Sequence, residues 1–401
     1  MTERLHLLVG TRKGAFHLTS RDRQHWELAE PILPGWSVYH AAFDLRDGKP
    51  RAYLAANHWA WGPSVAKSDD GAVNWDFRSE GLAFSPETRS PAPEIPGAPG
   101  EWSQAPPGVI GNIWCVAPGH PSEPGVLYAG SQPAGLFRSL DWGRTWQPLD
   151  GLNRHPYRKY WSGTGGGDSC VHSVIVDPRD PRRLYAAVSA GGAYRSDDGG
   201  VTWELIAHNA VATHPEALRL IREFIVEGAP AGIDRGPWDK DPAGLNEFHA
   251  LRLDPTNPDR LWGQAHWGVF RSDDCGTTWT DVTAGLPSFH GFGLTVSRAG
   301  SVFVVPLDYG ADNFRVCPGQ LAVYRTADGG RSWERLTRGL PGPNDYQSVY
   351  REGLACDGLE PEGTYVGTSN GELYVTFDGG ELWRKLPGTL PPILAVAAAA
   401  W

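Results

Sequence analysis

Long apolar runs are missing from this 401-residue chain. No stretch approaches the roughly 20 residues that a bilayer-spanning helix needs, so no membrane role is expected. Positive charge is also scarce. Lys and Arg number 36 against 46 Asp and Glu, which leaves a formal net charge of -10. No basic patch is available to displace counterions from a phosphate backbone, and this excludes a nucleic-acid surface. Cysteine is sparse and odd in number, five residues without paired spacing. That argues against a disulfide framework and for a reducing compartment. The opening residues, MTERLHLLVG, show neither the apolar core nor the cleavage site of a secretory leader, so a cytoplasmic protein is expected.

What the chain has instead is 50 Gly, 34 Pro and 18 Trp, a composition suited to many turns between short strands. The turns are not random. SDDGGVTW (196–203) is one copy of a pattern S-x-D-x-G-x-T-W, with clean copies at Ser139 and Ser272 and looser ones at Ser68, Thr326 and Thr376. A worn seventh, TSRDRQHW, ends at Trp26 one residue short. Short hydroxyl and carboxylate side chains fix a tight turn by bonding to nearby backbone. Gly supplies positive φ, and the Trp opens the next strand with a large apolar face. Each copy therefore reads as a β-hairpin and not as a reaction centre.

The pattern resembles the Asp-box of the bacterial neuraminidase (BNR) repeat proteins, a superfamily of β-propellers. It includes sialidases, oligoxyloglucan-type glycoside hydrolases, sortilin-type receptor ectodomains and photosystem II assembly factors. The resemblance covers almost the whole chain and implies the fold. It does not choose among the functions.

One unit shows the grammar of a four-stranded blade: CVHSVIVDP, LYAAVSA, GGAYRS and TWELI, from 170 to 206. The same order fits six times. The N-terminus then supplies three strands without an inner one, and ILAVAAAA (393–400) supplies the missing strand. The expected architecture is all-β, a single seven-bladed propeller over residues 1–401, closed where strand 393–400 joins the N-terminal blade. Four insertions, at 76–109, 147–169, 204–247 and 308–319, fall on the face opposite the Asp-box turns. The third holds PEALRLIREFIVEG, whose apolar spacing suits a short helix. Long segments of this kind are usually functional loops, and the mouth of the channel is where a site is expected.

Laying the inner strands over one another places His40, Trp114, His172 and His249 at one position near the mouth, with Phe292 and Arg351 or Glu352 in later blades. Hairpins on the same face add Arg12, Lys13, His58, His266 and Asn370, beside Trp59, Trp267 and Tyr309. Imidazoles suit divalent Zn, Fe, Cu or Ni, so His40, His172, His249, His266 and His58 are candidate metal ligands. His172, His249 and Glu352 are candidate acid–base groups, with Glu247 and Asp168 nearby. Arg12 and Arg351 are candidates to meet an anionic group in catalysis. Lys13, Trp114, Trp59, Trp267, Tyr309 and Asn370 are candidate substrate contacts. The GTGGG at 163–167 lacks the Lys and the strand–loop–helix setting of a phosphate loop and reads as a lid.

Two functions follow. One is an enzyme, hydrolase or lyase in type, working on a small polar molecule that is sugar-derived or anionic. The other is a scaffold that binds a protein or glycan without chemistry. Sialidase activity is not expected. The resemblance would require three arginines on the substrate carboxylate, and only Arg12 and Arg351 are on offer.

Overall fold

The computed structural model describes residues 4–77, 79–88, 109–161, 168–227, 247–309, 316–350 and 352–401. Seven antiparallel sheets follow one another along the chain. Six have four strands, and the sheet Ser37–Asp44, Arg51–His58, Gly62–Ser68 has three. A bridge from Lys67 to Asp76 marks the fourth position of that blade. The first blade takes Ile393–Ala400 as its inner strand beside Leu5–Thr11, Gly14–Ser20 and Glu27–Leu28. Both chain ends therefore share one sheet, which leaves no open edge in the ring.

The Asp-box turns explain why the hairpins are alike. In the copy at 196–203 the Ser196 hydroxyl donates to Asp198 at 2.8 Å and accepts from the Gly200 amide at 2.9 Å. Asp198 in turn accepts from the Thr202 amide and hydroxyl at 2.9 and 2.6 Å. The Trp203 indole then donates to the Gly200 carbonyl at 3.1 Å. The worn copy works in the same way. Ser20 reaches Asp22 at 3.3 Å, and His25 takes the Thr role with its Nδ1 2.7 Å from the carboxylate. Turns that end the inner strands are held by their own side chains: Asp177 and Asp254 accept from the Arg179 and Thr256 amides at 2.8 and 2.9 Å.

The apolar core lies between blades. One cluster joins Tyr53, Ile113, Phe137 and Trp146 of the second and third blades, and another joins Phe303, Val323, Val366 and Trp383 of the last two. The insertion at 204–247 is packed where it is described. Its helix Pro215–Leu220 runs on as a wider turn through Ile221–Glu227. Ala210, Ala217 and Leu220 share a cluster with Trp267 and Phe289. Arg351 lies outside the described residues, as do 89–108, 162–167 (with the glycine lid), 228–246 and 310–315.

Candidate functional site at the channel mouth

Five of the seven inner strands carry an irregularity near the mouth. The pairing register slips between Val38 and His40, Ile113 and Cys115, Val171 and Ser173, Phe248 and Ala250, and Gly291 and Leu294. The extra residue of a bulge is left out of the ladder, and bulges re-aim side chains next to sites. The residues left out are Tyr39, Trp114, His172, His249 and, in the last of these strands, Phe292 with Gly293. Their rings follow one another around the channel with centroids 4.7, 5.8, 5.9 and 4.6 Å apart, and Tyr350 continues the series 5.6 Å beyond Phe292. The collar thus corrects the alignment drawn from sequence. Tyr39, not His40, matches Trp114, and Tyr350 follows Phe292.

Above one arc of this collar sits a buried polar cluster. Glu247, directly before the strand Phe248–Asp254, is 8% exposed, and His172, His249, His266 and His290 are 6%, 4%, 5% and 0% exposed. Glu247 Oε1 accepts from the Ser189 hydroxyl at 2.8 Å and lies 3.2 Å from His172 Nε2. His249 Nε2 stands 3.8 Å from the same oxygen, and His266 Nδ1 stands 3.6 Å from Oε2. The His249 ring is fixed from behind, because its Nδ1 donates to the Gly291 carbonyl at 2.6 Å. His290 donates from Nδ1 to the His266 carbonyl at 3.2 Å.

Burial works against ionisation of Glu247, but the imidazoles of His172 and His249 outweigh it and hold the carboxyl well below the ordinary glutamate range. For His249 burial pushes the pKa below the ordinary histidine range, against the opposing pull of Glu247. The cluster therefore sets a carboxyl shifted downward beside an imidazole that is also shifted downward. This is the kind of perturbed, convergent group that marks functional sites.

The other expected residues lie elsewhere. His40 sits deeper in the channel beside Glu352, which is paired with Arg252. Burial lowers the His40 pKa, with Glu352 opposing and Arg252 adding to the effect. His58 lies in an exposed hairpin, where its Nδ1 accepts from the Ala60 amide at 3.1 Å and its ring packs near Trp36, Trp59 and Trp61. Neither joins the His172–His249–His266 group. Arg12, Lys13 and Asn370 are exposed on hairpins. Trp59 and Trp61 are 93% and 78% exposed. Trp267 is buried against Phe289 and Tyr309, so it packs the insertion and offers no open face. Trp114 keeps its place in the collar through Gln132, whose Oε1 accepts from the indole at 3.1 Å.

Sequence reasoning missed His290, Ser189 and Arg252. His290 had a signal: it stands two residues before Phe292, as Glu247 stands two before His249 and Cys170 two before His172. A separate groove of about 410 Å³ lies between the third and fourth blades, lined by Glu123, Arg182, Asp198 and Val201. It belongs to the Asp-box face and contains none of the cluster.

The bladed ring, its closure and its turns define the class: the chain is a seven-bladed Asp-box β-propeller. Residues 194–205 match the BNR/Asp-box repeat. Among curated relatives, a probable oligoxyloglucan-reducing end-specific xyloglucanase of Neosartorya fischeri is 31% identical over 266 residues, 65% of this chain and 28% of that protein. Xyloglucanase Xgh74A of Acetivibrio thermocellus is 26% identical over 344 residues, 75% of this chain and 34% of the relative. The chain thus spans about a third or less of these relatives. Among solved structures, an ancestral GH74 enzyme superposes with a TM-score of 0.53 at 15% identity, covering 87% of this chain and 38% of that one. YCF48 bound to D1 peptide superposes with a TM-score of 0.50 at 11% identity, covering 87% and 81%. Both structures share the fold with this chain.

Proposed function

We propose that this protein is a hydrolase of carbohydrate-derived molecules, with its reaction centre at the mouth of the channel. The observation that carries the reading is the buried Glu247 in contact with His172 of the aromatic collar. Aromatic faces such as Trp114 and Tyr39 offer flat apolar surface to a sugar ring, and polar groups beside them fix its orientation. The xyloglucanases among the relatives act on a polysaccharide, which supports the substrate class.

His172 is placed as the proton carrier. With Nε2–H directed at the Glu247 carboxylate, its accepting nitrogen is Nδ1, an assignment made from the hydrogen-bond pattern. Glu247 orients the ring and stabilises the imidazolium that forms when a proton is taken from water, the role a carboxylate plays behind any catalytic histidine. Ser189 holds the carboxylate in place.

The second reading, a scaffold that grips a glycan or protein without chemistry, is favoured by Trp59 and Trp61 on their exposed hairpin. A panel of xyloglucan-derived and other oligosaccharides, analysed for released sugars, separates the two. Turnover that falls at least about 100-fold in His172→Ala while oligosaccharide binding persists supports the enzyme. Binding without release of product from any substrate, lost in Trp59→Ala and Trp61→Ala, replaces it with the scaffold.

A further inference from the structure

We infer that Glu247, His249 and His266 form a binding site for one divalent transition-metal ion, with zinc as the best match to the donors. The ion site rests on the cluster's geometry alone. Only a catalytic use of the ion would rest on the hydrolase reading.

His249 donates its Nδ1–H to the Gly291 carbonyl at 2.6 Å, and its Nε2 stands 3.8 Å from Glu247 Oε1. The second carboxylate oxygen faces His266 Nδ1 at 3.6 Å, beyond hydrogen-bond length. One donor atom from each of the three residues lies within 4.8 Å of the others. Donors bound tetrahedrally at about 2.1 Å from a zinc ion stand about 3.4 Å apart, so small ring rotations close the set.

Division of labour within Glu247 supports the assignment. Ser189 and His172 hold Oε1, and Oε2 faces His266 Nδ1 at 3.6 Å. Liganding imidazoles usually donate their other N–H to a carbonyl, and liganding carboxylates are themselves hydrogen-bonded. His249 and Glu247 already have those supports. Two imidazoles with one carboxylate leave a fourth tetrahedral position open to water, and they favour zinc over the oxygen-seeking Mg and Ca. The ligands also differ from those expected from sequence: Glu247 enters the set, and His40, His58 and His172 leave it.

The test uses the full chain without a polyhistidine tag, stripped with a chelator and titrated with ZnCl2 by calorimetry and with CoCl2 by visible absorbance. One equivalent of each ion should bind, with cobalt bands of tetrahedral intensity. Glu247→Gln and His266→Ala should each weaken zinc binding by at least about 100-fold, and Ser189→Ala by about 10-fold. His40→Ala and His58→Ala should bind as the unaltered protein does. His249→Gln, closer in volume, guards against loss of fold, and cooperative melting is checked for every variant. Absence of zinc binding in the stripped protein overturns the site. So does zinc binding that the folded cluster variants leave unchanged. Loss of activity in His172→Ala without any metal would spare the hydrolase reading and sink this one, whereas a bound ion without turnover would do the reverse.

Discussion

On the Asp-box face every blade repeats the same few bonds, from Ser20–Asp22 in the first to Thr376–Asp378 in the last. At the mouth the equivalent position changes as one moves round the ring, from Tyr39 and Trp114 through two histidines to Phe292 and Tyr350. Both ends belong to the same blades. The difference is that a turn must satisfy its own backbone in every blade, while a bulged residue at the channel answers only to its neighbours and to a ligand. Redundancy marks the scaffold, and variation at a fixed structural position marks the site.

That comparison breaks if a change at the mouth unfolds the protein or a change in a turn abolishes activity. The largest effect should come from Glu247→Gln. Without the negative charge behind His172, turnover should fall about 10²- to 10⁴-fold, with cooperative melting retained. Kinetic assays beside calorimetric melting check both halves. Next in size is Gly330→Ala in the turn at 326–333. Gly330 has φ +85°, and an added Cβ would lie 2.6 Å from Val282 Cβ in the preceding blade. Left-handed strain and overpacking together should cost about 2–4 kcal/mol in urea unfolding, while activity at the mouth is kept.

Ser196→Ala should cost less, about 1–2 kcal/mol, because it removes the hydroxyl that serves Asp198 and the Gly200 amide. The smallest effect is spread over pH. Thr202 and its amide hold the Asp198 pKa down to about 2, and Asp70, Asp141, Asp274, Asp328 and Asp378 are lowered too. A carboxylate depressed in the folded state adds stability above its unfolded pKa of about 3.9 and loses it as pH falls through the folded value. Urea midpoints should therefore decline from about pH 4 toward pH 2, and Asp198→Asn should flatten that slope slightly. A midpoint independent of pH across that window would show that the boxes contribute nothing through charge.

The same contrast explains what could be read in advance. A turn that needs a hydroxyl, a carboxylate, positive φ and an indole at fixed spacing writes itself into the sequence, so the blades, their order and the closing strand were legible. The collar was not, because a bulge adds one residue without a residue-type signature and moves every later side chain by one place. Hence His40, aligned by eye with Trp114, lies a step deeper beside Glu352, and Tyr39 takes the mouth position. His172 and His249 were found because their strands align with each other without a gap. Ser189 was invisible, since it contributes through a hydroxyl from the strand next door.

The central claim is that ligand binds where the blades differ and not where they repeat. The most direct test is a crystal structure of Glu247→Gln with a xyloglucan-derived oligosaccharide. The account predicts a sugar ring against Trp114 and Tyr39, within reach of His172. An oligosaccharide seated instead in the groove between the third and fourth blades, against Arg182 and Asp198, would contradict it.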